Sequence, residues 1–191
     1  MIVHIISSHD NIEQNIGSLR TIVRLVKSQG HALAFDWVEP AYKHTSGKQR
    51  PDSIDWNAVY NENMAAISRA DVVIAEATRR SFGAGYQIAA SVRLKKPTLV
   101  LRQDGIENDV MEVGTDKEYV KFVSYHTSQA LRDTVASFLQ ENDIPTKDLR
   151  FNFSINRRIY NYLRSASAET GETKAEIIRR LIEREIDKTN M

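Results

Sequence analysis

An α/β fold on a flavodoxin-like doubly wound parallel sheet is what this 191-residue sequence predicts, and three observations predict it. Short apolar runs suited to buried strands alternate with segments of helical period. Polar or glycine-bearing turns separate them. The stretch ADVVIAEATRRSFGAGYQIAASVRLKKPTLVL, residues 70–101, reads in one pass as strand, turn, helix and strand. Such alternation implies a parallel sheet covered on both faces. Right-handed crossovers then favour the doubly wound order.

The first strand is IVHII (2–6). Ile12, Ile16, Leu19, Val23 and Val26 then recur at steps of three and four, and Gly30 closes that helix. ALAF (32–35) is the second strand. EPAYKHTSGKQRPDSID (39–55) is polar, with two prolines and a glycine, and is expected to be a long loop. Trp56, Val59, Met64 and Ile67 mark the second helix, and VVIA (72–75) the third strand. Ile88, Val92 and Leu94 mark a helix ended by KKP, ahead of the strand PTLVL (97–101). VKFVSY (120–125) is the last strand, and Leu131, Val135, Phe138 and Leu139 give the last helix of this domain, expected over 1–142.

Composition narrows the chemistry. With no cysteine, disulfides and thiolate catalysis are excluded. The five histidines show no close metal-ligand spacing, so neither a metal nor a cofactor is expected. No apolar run approaches the ~20 residues that cross a bilayer, and no signal pattern opens the chain, so the expected location is cytoplasmic, with no membrane partner. Residues 148–191 carry nine Lys/Arg and seven Asp/Glu, while the other 147 carry seventeen and eighteen. That mildly basic tail is not a polycationic arm, and bulk charge alone makes no case for nucleic acid.

In a sheet of this kind ligands sit beyond the carboxyl ends of the strands. That brings SSHDN (7–11) and EATRRSFGAGYQ (76–87) to one cleft. Gly83 and Gly85 let backbone approach a ligand, and the next helix offers free N–H groups to an anion. Glycines in such a turn serve structure at least as often as ligands.

The 70–101 stretch, preceded by NAVYNENMAAISR, resembles the nucleoside 2-deoxyribosyltransferase family, in particular its 2′-deoxynucleoside 5′-monophosphate N-glycosidases. The resemblance covers roughly residues 1–140. It implies this fold, dimers or higher oligomers, and cleavage or exchange of the bond between base and deoxyribose. It also implies a nucleophilic glutamate in a GxGYE context and an aspartate eight residues before the Asp of ADVV. Here those positions hold Gln87 and Asn63. Rupture of an N-glycosidic bond builds positive charge at the anomeric carbon, which a carboxylate stabilises or captures. A neutral amide keeps the shape and the hydrogen bonding without the charge. Glu76 is the fallback carboxylate, though support or ligand binding suits it better. Glu62 is expected to turn away from Asn63 by one helical step of ~100°. Asp10 stands near the position where similar monophosphate-specific enzymes use an arginine, which weakens the case for a 5′-phosphate. Ser7, Ser8 and Ser81 match small pocket-lining positions, so the expected ligand-binding set is Ser7, Ser8, Asn63, Glu76, Ser81, Gly83, Gly85 and Gln87.

After a linker at 143–149, RFNFSI (150–155) alternates strictly, as a half-buried strand does. Asn156 caps a helix running to about Ala168, Gly171 turns, and TKAE (173–176) is a capping box for a second helix with Ile177, Ile178, Leu181, Ile182 and Ile186 on one side. Residues 150–191 resemble the ribbon-helix-helix DNA-binding dimers, RFNFSI being similar to the strand of the Arc repressor. The resemblance implies a two-chain antiparallel ribbon in the major groove, with Arg150, Asn152 and Ser154 facing bases. Thr173 and Lys174 would meet a phosphate. A module that only joins the dimer, its outward residues merely solvated, is the plainer alternative.

Together these readings predict a non-catalytic nucleoside- or nucleotide-binding domain coupled to a DNA-binding dimer, a ligand-responsive regulator. The expected partners are a second copy or a higher homo-oligomer, double-stranded DNA, and a nucleoside or nucleotide. The alternatives are a deoxyribosyltransferase or N-glycosidase with an altered site, and an oligomeric pseudoenzyme scaffold.

Overall fold

A computed structural model describes residues 1–9, 12–46, 55–104, 118–143 and 152–189, and divides the chain into two compact units, Met1–Ile144 and Pro145–Met191. In the first unit the order is β1 (Ile2–Ser7), α1 (Ile12–Ser28), β2 (Ala32–Leu33), α2 (Val38–Ser46), α3 (Trp56–Arg69), β3 (Val72–Glu76), α4 (Phe82–Arg93), β4 (Thr98–Gln103), β5 (Val120–Tyr125) and α5 (Ser128–Asn142).

All five strands are parallel, in the order β2-β1-β3-β4-β5. This is the flavodoxin-like order, and the chain reverses its winding direction between β1 and β3. β3 is buried along its whole length, which explains its unbroken apolar run. Side-chain alternation divides the core. Val3, Ile5, Ile74, Leu99 and Leu101 meet α1 and α5 through Leu19, Ile22, Val135 and Leu139. Ile6, Val73, Ala75 and Val100 meet α3 and α4 through Ile67, Ala84 and Ile88. Asp71, just before β3, ties the sheet end by accepting from the Ile2 N–H at 2.6 Å.

Two expectations change here. The segment 39–55 is not all loop, because Val38–Ser46 forms α2. Val38, Ala41 and Tyr42 sit on or against the core at helical steps, and Pro40 falls in the first turn, where its missing N–H costs nothing. Arg20 grips Glu39 with two bonds of 2.6 and 3.1 Å, and its guanidinium lies 4.8 Å from the Tyr42 ring centroid. Second, β2 keeps two residues of the expected four, as suits an edge strand paired on one side only. Residues 47–54 lie outside the described residues.

The second unit contains α6 (Arg157–Thr170) and α7 (Lys174–Thr189). Asn156 caps α6 by accepting from the Ile159 N–H at 3.0 Å, and Gly171 ends it at φ 73°, a left-handed conformation that suits glycine. Thr173 and Glu176 form the expected capping box: the Thr173 N–H donates to Glu176 at 2.7 Å, and the Glu176 N–H to the Thr173 hydroxyl at 3.3 Å. Leu163 and Ile177 are buried, whereas Ile182 and Ile186 stay about half exposed. The expected strand is not present in the described part of 150–155, where residues 152–155 have no regular structure. A strand needs a ladder partner, and a single chain supplies none. Arg150 and Phe151 lie outside the described residues. No helix of the described residues is long and apolar enough to cross a membrane.

Candidate functional site

A cleft of about 900 Å³ opens beyond the end of β1, between α2, α3 and the start of α4. Aromatic side chains dominate its walls. Trp37 is held by a 2.8 Å bond from its indole N–H to the Ile5 carbonyl. Tyr60 and Tyr86 meet through their hydroxyls at 3.3 Å, and Trp56 stands edge-on to His9 with ring centroids 5.9 Å apart. Phe82, on the rim, is 91% exposed. Large apolar groups left this open commonly mark a surface that binds something.

Of the expected ligand-binding residues, Ser7, Asn63, Ser81, Gly83 and Gln87 line this cleft. Ser7 accepts from the Asn15 amide at 3.4 Å. Asn63 turns its N–H₂ back to the Val59 carbonyl at 2.8 Å, which leaves its own oxygen for a ligand. Ser81 caps α4 by accepting from the Ala84 N–H at 3.3 Å. At Gly83 an added Cβ would meet only the Ser81 hydroxyl oxygen, at 3.8 Å. Protein packing therefore does not require a glycine there, and close approach by a ligand is the remaining reason for one. Gly83→Ala is expected to leave thermal stability unchanged or slightly raised, since alanine is the better helix former. Affinity for a ligand seated on this helix start should fall about tenfold or more, read by calorimetry.

Ser8, Glu76 and Gly85 do not line the cleft. Ser8 is buried, and the Gly85 N–H is bound to the Ser81 carbonyl at 3.0 Å. Glu76 shares the strand face of Val72 and Ile74, toward α1, which removes it from the α3–α4 side. Its Oε1 accepts from the Thr78 hydroxyl and, at 3.0 Å, from the Tyr125 hydroxyl, while Oε2 has no partner. Burial pushes its carboxyl above the usual range, against the opposing effect of those bonds and of Arg79. The fallback catalytic role thus meets a buried carboxyl behind the sheet end. Because the folded chain holds that proton to higher pH than the unfolded chain, stability falls as pH rises from the unfolded value through the folded one. Glu76→Gln keeps the acceptor and removes the ionisation. The variant is expected to gain on its parent in urea unfolding as pH rises above the ordinary carboxylate range. Parallel profiles would mean that burial does not govern this group.

Glu62 corrects a second expectation, since it lines the cleft beside Asn63 rather than turning away. The argument from one helical step held for a narrow face, but this cleft wraps a wide arc of α3. Among the described residues, Glu62 and Asp36 are the carboxylates on its walls, and Asp36 is paired to Lys27 at 2.7 Å. Asp10 lies outside the described residues.

His4 is fully buried on β1, on the strand face shared with Ile6. Burial lowers its pKa from 6.5 to about 4, the Arg69 charge adds to this, and Gln87 opposes it. Neither imidazole nitrogen has a hydrogen-bond partner among the described residues. A buried polar group left unbonded costs about 1–3 kcal/mol, so this arrangement carries a cost. Sequence reading passed over His4, because a lone histidine in a strand carries no signal until its neighbours are known.

In the tail, Asn152 and Ser154 are exposed. Lys174 places its ammonium 4.5 Å from the Tyr160 ring centroid, and Glu176 occupies the Thr173 N–H. A phosphate at that helix start would have to compete with the Glu176 carboxylate.

No family model matches the chain. Over 116 residues it is 24% identical to a Methanosarcina mazei protein assigned as 2′-deoxynucleoside 5′-phosphate N-hydrolase 1, covering 61% of this chain and 69% of that one. Over 139 residues it is 26% identical to a protein of the same assignment from Syntrophotalea carbinolica, covering 69% and 96%. Among solved structures, the CMP N-glycosidase BcmB of Clostridium botulinum superposes with a TM-score of 0.52 at 12% identity, over 73% of this chain and all of that one. That likeness concerns the fold. The first unit of this chain is thus similar in sequence to proteins assigned as 2′-deoxynucleoside 5′-phosphate N-hydrolases and shares the fold of an N-glycosidase, on a five-stranded parallel sheet.

Proposed function

We propose that the cleft binds a 2′-deoxynucleoside or its 5′-phosphate and holds it without cutting it. One observation carries this reading: Gln87 and Asn63 both line one aromatic-walled cleft, at the two positions where similar enzymes use carboxylates. Flat rings suit stacking against a base. The amides and Ser7 suit the hydroxyls of a sugar, and the start of α4 offers a positive dipole end to a phosphate. Glu76 does not stand in for the amides from behind, since it is bonded elsewhere. The α6–α7 tail, read as a ribbon-helix-helix module, would pair with a second copy through residues 150–155 and the exposed apolar side of α7. It would then present Arg150, Asn152 and Ser154 to duplex DNA, making the whole a ligand-responsive regulator.

A hydrolase is the second reading, favoured by the Glu62 carboxylate on the cleft wall and by what the similar proteins are assigned to do. One set of experiments separates the two. Deoxynucleosides and their 5′-phosphates are incubated with the full chain, free base is quantified, and binding is followed by thermal shift. Stabilisation without base release supports the binding reading. Base release abolished by Glu62→Gln supports the hydrolase. Mobility of duplex DNA at low salt, with and without the bound nucleotide, tests the regulator, and unchanged mobility in both arms rejects it.

A further inference from the structure

The walls of the cleft are uneven in charge. Among the described residues that line it there is no lysine and no arginine, while Asp36 and Glu62 bring two carboxylates. Lys27 offsets Asp36 at 2.7 Å, whereas Glu62 is exposed and forms no ion pair among the described residues. The basic side chains on the walls are the imidazoles of His9 and His44; Arg79 and Arg80, just before Ser81, are exposed and do not line the cleft. The start of α4 adds about half a unit of positive charge, too little to balance a phosphate monoester that carries nearly two negative charges, about −1.5 to −2. The rings also select by charge. Trp37, Trp56, Tyr60, Phe82 and Tyr86 share these walls, and the face of an aromatic ring attracts a cation. Elsewhere such contacts are filled by the chain's own cations, Arg20 over Tyr42 and Lys174 over Tyr160. Among the described residues, no lysine or arginine covers a ring of the cleft.

We propose that the cleft selects a nucleoside whose base is positively charged, an N-alkylated purine or pyrimidine, over the neutral nucleoside and over its 5′-phosphate. Such a base is flat, so it stacks, and its charge is spread over the ring. A spread charge is weakly hydrated and enters an aromatic site at less cost than an ammonium. Glu62 adds attraction from the wall, weakened by water and salt because it is exposed. The same charge gives the two amides a purpose. When an alkylated base leaves, the bonding electron pair goes to its ring nitrogen, the base departs neutral, and the positive charge passes to the sugar. That bond is already weak, and a carboxylate beside the anomeric carbon would speed its rupture. Asn63 and Gln87 line the sugar's side of the cleft without that charge. This inference rests on the reading of the cleft as a nucleoside site and names the class of base it takes.

The test is calorimetry on the full chain with two isomers, 1-methyl-2′-deoxyadenosine, a cation at neutral pH, and N6-methyl-2′-deoxyadenosine, which is neutral. The cationic isomer is expected to bind roughly 5- to 30-fold more tightly. Glu62→Gln, Trp56→Leu and added salt should each reduce that ratio. 2′-Deoxyadenosine 5′-monophosphate should bind no more tightly than 2′-deoxyadenosine. Equal or weaker binding of the cationic isomer overturns the proposal, and so does tighter binding of the monophosphate. A preference that neither variant reduces overturns it as well. A third probe, 1-methylnicotinamide, is a permanent flat cation without a sugar and keeps the two readings apart. If both isomers bind alike, selection by charge falls and the nucleoside site stands. If 1-methylnicotinamide binds and no nucleoside does, selection by charge stands and the nucleoside reading falls. Failure of every probe to bind rejects both.

Discussion

Gln87→Glu combined with Asn63→Asp is expected to raise the release of free base from deoxynucleosides far above that of the parent chain. The argument is electrostatic. Departure of the base leaves an oxocarbenium-like sugar whose charge the existing amides cannot neutralise, and an amide oxygen is too weak a nucleophile to capture it. Both substitutions keep side-chain length and outline, and both residues already face the cleft, so the walls that hold a ligand stay in place. Removing a nucleophile from an enzyme commonly costs a factor on the order of 10³ to 10⁶. Restoring one should raise turnover by at least about 10³ over the parent. Gln87→Glu alone should give less, because the second carboxylate would still be missing. The measurement is chromatographic detection of free base over several hours. Silence from the double variant, with nucleotide binding retained, would show that other parts of a cutting site are absent too.

Stability is expected to fall as pH drops from about 6.5 to about 4, and His4→Phe should remove that part of the slope. The ring is buried and neutral in the folded chain, whereas an unfolded histidine takes up a proton throughout that interval. The unfolded state therefore binds more protons, and stability rises with pH until the unfolded value is passed. The displacement of the pKa corresponds to roughly 3 kcal/mol, fully lost below the folded value. That is a large share of the ~5–15 kcal/mol that holds an ordinary domain together. Urea unfolding of parent and variant across the range measures it. Equal losses in both chains would assign acid sensitivity to carboxylates instead. Glu76 acts in the opposite direction, its contribution falling as pH rises, so the parent should be most stable between the two influences.

Much of the first unit was legible in the sequence because its interior strands are buried on both faces. VVIA and PTLVL read as strands from their apolar runs alone, and both lie in the middle of the sheet. The α2 helix was not legible. Its stretch is polar and proline-bearing, and the helix forms because Val38, Ala41 and Tyr42 find the core beside α1. The two amides were singled out by the family resemblance, at the position eight residues before the Asp of ADVV and at the end of GAGYQ. Their setting was not, since Glu62 joins the same wall and Glu76 leaves it.

What the sequence determined by itself was local: the strand and helix periods, the caps at Asn156 and Thr173, and the presence of amides at Gln87 and Asn63. What only the tertiary structure decided was which groups share a space. It buried His4 on a strand in its neutral form, bonded Glu76 to Tyr125, and brought α2 from a distant segment to complete the cleft. The physical reason is range. Hydrophobic period and capping act within a few residues, whereas desolvation and hydrogen bonding between strands and helices depend on neighbours brought together only by the fold.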